Sequence, residues 1–150
     1  MFPENPNTLE TMNLTVHGEN MIFEEGSWNP ELGSRNGKNP TYSTLYRYAY
    51  YKRFNNFCYV SFHGKWNITN AGTDYACITG LPYVSRGSMN GQSLALHEMF
   101  GAISTNPTRC GIIPDNSSRI NLQGENGSFS AQWQTGDVWV GFSGFYLIKP

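Results

Sequence analysis

Eleven carboxylates and three histidines are the side chains of this 150-residue chain best suited to acid–base chemistry. Hydrolysing a glycoside needs two carboxyl groups facing each other across a cleft. Here Glu4, Glu10, Glu19, Glu31, Asp74, Glu98, Asp115, Glu125 and Asp137 are scattered singly, and Glu24-Glu25 reads as a solvated entry to a strand. None sits in a recognisable catalytic motif. His17, His63 and His97 make no HxH or HExxH pattern. His97 adjoins Glu98, which could make an acid–base pair, although a structural hydrogen bond is the commoner fate of such a histidine. Serines are many, but no G-x-S-x-G elbow is present. Gly33 to Gly37 opens no helix, so it reads as a loop and not as a phosphate cradle. Cys58, Cys77 and Cys110 have neither CxxC nor metal-ligand spacing. Their odd number argues against a disulfide-stapled domain, and Cys58 and Cys77 fall in apolar strand patterns that suit buried free thiols. The expectation is a protein that is not an enzyme and uses no metal or cofactor.

Binding chemistry is better represented. A sugar is held by an aromatic platform under its apolar face and by planar amides, carboxylates or arginine on its hydroxyls. Three segments offer that mix. Residues 83–90 carry Tyr83, Arg86 and Asn90; residues 114–117 carry Asp115 and Asn116; residues 132–135 carry Trp133. Arg86 and Trp133 stand out among them. Aromatics make up 15% of the chain, whereas charged residues make up 14%, below the roughly 25% usual for soluble domains. The net charge of −1 provides no basic field to gather nucleic acid. No stretch approaches the roughly 18 apolar residues of a membrane span. The opening MFPENPNTLETMNLTV has no basic region and no continuous apolar region, so it is not read as a signal peptide.

These side chains must be positioned by strands. Beyond an entry segment or stem end at residues 1–24, residues 25–150 alternate strand-like runs with Gly, Pro and Asn breaks, the pattern of a sandwich or barrel. The clearest run is 57–68, with Cys58, Val60, Phe62, Gly64, Trp66 and Ile68 on one face, the core face. Residues 42–54 precede it across Asn55-Asn56, a pair fit for a tight hairpin turn. Further strands are expected at 74–79, 110–113, 119–123, 128–133 and 137–148. Residues 93–100 are short for a helix and follow the Asn90-Gly91 turn signal, so they too read as strand or mixed. In the closing strand both faces are apolar, because Trp139, Phe145 and Leu147 oppose Val138, Val140 and Phe142. A sandwich covers one face of each sheet. Trp139, Phe145 and Leu147 are therefore expected at a subunit interface.

Four motifs carry a family likeness. Gly26-Ser27-Trp28-Asn29-Pro30-Glu31-Leu32 resembles the G-x-W-x-P-x-L opening of phage tail-fibre and prophage tail-protein C-terminal domains. The run from Tyr51 to Val60 resembles their Y-x-[KR]-[IV]-G-x-x-V-x-V hairpin, with Asn55 where Gly is usual. Ile78-Thr79-Gly80-Leu81-Pro82-Tyr83 is similar to their I-[ST]-G-L-P-[FY] segment, and Phe142-Ser143-Gly144-Phe145-Tyr146-Leu147 to their S-G-x-Y closing strand. The four occur in order between residues 26 and 147. Both readings make the motifs structural: Trp28 plugs one end of the core, and Gly80-Leu81-Pro82 ends a strand. The resemblance implies an all-β, jelly-roll-like antiparallel β-sandwich, assembled as a homotrimer at the tip of a virion's tail fibre. It implies extracellular-facing, non-catalytic binding of a bacterial surface polysaccharide or protein receptor. Two other classes compete with it: a carbohydrate-active enzyme or its accessory carbohydrate-binding domain, and a secreted trimeric jelly-roll ligand of the tumour-necrosis-factor or complement type.

Overall fold

A computed structural model describes residues 10–16, 19–104, 108–124 and 131–150. They form ten strands and, among the described residues, no helix: β1 Glu10–Val16, β2 Glu19–Ser27, β3 Glu31–Ser34, β4 Thr41–Phe54, β5 Phe57–Asn70, β6 Ala76–Thr79, β7 Gln92–Ile103, β8 Thr108–Ile113, β9 Arg119–Gly124 and β10 Trp133–Leu147. All pair antiparallel in one continuous sheet of order β1-β2-β4-β5-β10-β7-β8-β9-β6-β3. The expected all-β class holds.

β5 follows its sequence pattern closely. From Cys58 to Ile68 its residues alternate between buried and half-buried positions, and Cys58, Val60, Phe62, Trp66 and Ile68 are at most 2% exposed. β4 meets it across Asn55-Asn56, and Asn55 takes the left-handed conformation at φ 50°. Gly64 lies where any side chain would strike the Trp66 ring, 2.3 Å from an added Cβ. The rule that successive side chains alternate faces thus sets β5.

The sheet curls so that its second half lies over the inner face of the first. Leu32, Ile78, Ile113, Ile120 and Leu122 from β3, β6, β8 and β9 share one core with Phe62, Trp66, Val138, Val140 and Phe142 from β5 and β10. Trp28 is buried in this core. It meets Phe62 edge-on at 5.3 Å and donates its indole N–H to the Tyr50 carbonyl at 3.3 Å. Gly80 follows β6 at φ 92°, packed so closely on the Asn29 carbonyl that a Cβ would lie 2.4 Å from it.

Several boundaries differ from expectation. β1 pairs with β2, and β2 pairs with β4, so the sheet begins inside the expected entry segment. Residues 93–100 lie within β7. β6 starts at Ala76, with only an isolated bridge from Tyr75 to Gln132 before it. Of the strand expected at 128–133, residues 128–130 lie outside the described residues, and Trp133 opens β10.

Candidate functional site

β10 lies between β5 and β7, with β4 beyond β5. Its register sets rows of side chains across the outer face of these four strands. Tyr46, Lys65, Trp139 and Phe100 make one row; Tyr48, His63, Gly141 and Glu98 make the next. Tyr50, Ser61 and Ser143 follow, then Lys52, Tyr59 and Phe145, then Phe54, Phe57 and Leu147. This face is rich in aromatics and open. Tyr48 is 72% exposed, Phe145 67% and Phe100 50%.

At one end Trp139 is held between neighbours. Phe100 stacks on it at 4.5 Å with 14° between ring planes, and the Lys65 ammonium lies 4.3 Å from its ring centroid. Lys65 also pairs with Asp137 at 2.8 Å, and the Asn67 amide donates to the same carboxylate at 2.6 Å. Those two bonds, from Lys65 first and Asn67 second, hold the Asp137 carboxyl below its usual range.

The middle of the face carries the histidines. The β7 register against β10 shifts between Gly141 and Phe142, leaving His97 as the extra residue. A β-bulge puts two successive side chains on one side of a strand. His97 and Glu98 both face outward here, but they do not join as an acid–base pair. His97 Nε2 is hydrogen-bonded to Ser143 Oγ at 2.5 Å. Glu98 pairs instead with His63, reaching it over Gly141, which has no side chain to intervene.

The other end is concave. Phe23 from β2, Tyr50 and Phe54 from β4, Phe57 and Tyr59 from β5 and Phe145 from β10 line a groove of about 470 Å³, together with Lys52 and Arg53. Tyr59 packs on Phe145 at 5.0 Å and on Tyr50 at 6.0 Å. A hydrogen bond with Tyr59 is the main cause raising the Tyr50 phenol above its ordinary range. Arg53 is held at 2.8 Å on the Asn55 carbonyl and at 3.2 Å on Glu24, and its guanidinium covers the Tyr83 ring at 4.9 Å. Lys52 reaches Glu25 at 3.4 Å, with 56% of its side chain exposed.

The loop residues singled out from the sequence are only partly brought together. Residues 83–91 and 114–117 meet. Asp115 accepts from the Met89 amide at 3.2 Å and the Gly91 amide at 3.3 Å. Desolvation is the largest influence on the Asp115 carboxyl and raises its pKa. Amides of residues 88–91 together outweigh it, so the carboxyl stays below its usual range. Asn116 lies against Gly87; Arg86 and Asn90 are exposed. Ser88, Asn90 and Asn116 all adopt positive φ, so the segment is a locked loop whose amides are occupied by its own carboxylate. Tyr83 is committed elsewhere: its hydroxyl donates to Glu24, and its carbonyl accepts from the Tyr146 hydroxyl at 3.0 Å. Trp133 must be corrected from a ligand platform to a core residue. It is 3% exposed, and its indole donates to the Gly33 carbonyl at 2.8 Å.

Of the three residues assigned to an interface, Phe145 is open, whereas Trp139 and Leu147 are half-buried. All three belong to the outer face. Five carboxylates of the sheet have cationic or histidine partners: Arg53 for Glu24, Lys52 for Glu25, Arg47 for Glu31, His63 for Glu98 and Lys65 for Asp137. Glu4, His17 and Glu125 lie outside the described residues. Tyr50, Lys52, Phe54 and Tyr59 were missed as site residues. Their signal was legible, since an amphipathic strand with aromatics on its polar face needs a reason for them.

Compared with known proteins, the chain matches no family model, no curated protein and no solved structure.

Proposed function

We propose that this chain is the receptor-binding head of a phage-type tail fibre, a non-catalytic module that attaches a virion to bacterial surface glycan. In this reading the curled sheet is a jelly-roll-like sandwich variant, and three copies surround the fibre axis. The observation that carries the proposal is the outer face of β4, β5, β10 and β7. It combines exposed aromatics with paired, low-charge polar groups. A contiguous face of this kind marks a surface that is covered in use. We assign the sugar-recognition chemistry to this face more than to the loops, because here several open aromatic rings stand beside hydroxyls and a lysine.

The face has two unlike ends, and they suit two tasks. The Tyr48–Trp139–Phe100 end is built from regular cross-strand rows and packs against the other copies. The Phe145 end is hollow and meets the ligand. Threefold display would turn weak single-site binding into firm attachment. An array of bacterial surface polysaccharides probed with the intact chain tests the reading. Retention of specific glycans is expected. Binding to none of them, with soluble glycan cleaved instead, would overturn it in favour of a carbohydrate-active enzyme.

A further inference from the structure

The groove at the Phe145 end has a charge as well as a shape. Lys52 and Arg53 line it, and among the described residues no carboxylate does. Arg53 is already engaged with Glu24, the Asn55 carbonyl and the Tyr83 ring, and only 19% of its side chain is exposed. Lys52 differs. Its one ion pair among the described residues, with Glu25, is 3.4 Å long and open to water. Exposed pairs of that kind are worth about 0–1 kcal/mol, so a ligand anion can compete for the ammonium. The groove volume, about 470 Å³, falls within the roughly 300–1,000 Å³ of small-molecule sites.

From this we infer that the groove binds a carboxylated pyranose, a uronic- or sialic-type sugar unit within an acidic surface glycan. The inference rests on the glycan-binding reading above and gives it a location and a ligand charge. Phe145 and Phe57, 67% and 53% exposed, offer ring faces to the C–H side of the sugar. Tyr50 and Tyr59 line the same groove, and their phenol groups would meet ring hydroxyls. Lys52 meets the carboxylate. The site works by preformed shape, since its aromatic wall is braced by the Tyr59–Phe145 and Tyr50–Tyr59 contacts.

Titration calorimetry of the intact chain tests it with two probes: a trimer of hexuronic acid and the neutral hexose trimer of the same linkage. The acid should bind at least about tenfold more tightly, a difference of about 1.4 kcal/mol. Lys52→Gln should abolish that preference, and Lys52→Arg should keep it. Phe145→Ala should weaken both probes about tenfold or more while leaving the thermal midpoint unchanged. Both side chains are exposed, so none of the three variants endangers the fold. Equal binding of the two probes, or unaltered binding by Phe145→Ala, would overturn the inference while leaving glycan binding elsewhere intact. A Phe145→Ala variant that loses self-association would overturn it too, by assigning the groove to a second copy. If neither probe binds and the polysaccharide array is blank, the inference and the parent reading fall together.

Discussion

At the scale of single residues, Asn55 in the β4–β5 turn is the most informative. It holds φ 50°. Its side-chain carbonyl accepts the Ile22 amide at 2.9 Å, while its own amide donates to the Ile22 carbonyl at 2.9 Å. Asparagine is one of the few non-glycine residues that tolerate this conformation. Here it also ties the β4–β5 turn to β2, which glycine could do only through its backbone. Asn55→Ala should therefore cost about 2 kcal/mol, combining left-handed strain with one lost hydrogen bond. Asn55→Gly should cost less than half of that. Denaturant unfolding of the two variants checks the order, and equal losses would contradict it. Gly64 makes a separate point. A methyl group there meets the fully buried Trp66 ring, so Gly64→Ala should destabilise by about 1–3 kcal/mol through overpacking, read in the same experiment.

At the scale of elements, legibility followed burial. β5 could be read residue by residue because one face is core and the other is not, and a period of two records that difference directly. β10 was legible as a two-sided strand for the same reason. What covers its second face was not legible, since a sequence gives periodicity and not neighbours. Trp133 shows the limit: a tryptophan between two glutamines looks like a solvated platform, yet the bridge from Tyr75 to Gln132 and the Gly33 carbonyl draw it inward. The bulge at His97 was equally invisible, because one inserted residue flips the facing of everything beyond it. The aromatic groove escaped notice because its wall comes from four strands, with four side chains from β4, two from β5 and one each from β2 and β10 that look ordinary alone. The thiols provide a test at this scale. Cys58 and Cys77 are fully buried in β5 and β6, and burial pushes both up to about 11, whereas Cys110 in β8 is half-buried. At pH 8 a disulfide reagent should modify Cys110 first. Cys58 and Cys77 should react only at the rate of unfolding; three equally fast thiols would contradict this placement.

At the scale of the whole molecule, the ionisable groups define a stability window. Asp74, Asp115 and Asp137 all titrate below their ordinary range in the fold. Groups depressed in this way stabilise the native state above the unfolded carboxyl pKa, about 4, and lose that contribution as pH falls through the folded value. Cys58 and Cys77 act oppositely: their contribution is complete below the unfolded thiol pKa of about 8.5 and is lost as pH rises towards about 11. The thermal midpoint should therefore be flat from about pH 5 to 8 and fall on both sides. A midpoint that rises above pH 9 would be inconsistent with buried thiols.

The same scale holds the claim on which the functional reading turns, that one copy is unfinished. Tyr48, Phe100 and Phe145 leave the outer face of a 16.9 kDa chain open to water, beside a Trp139 that is only half-covered. Light scattering on the purified full-length chain measures the consequence directly. The account predicts a particle of three chains, three times 16.9 kDa or about 50.7 kDa. A monodisperse species of 16.9 kDa at every concentration would contradict it.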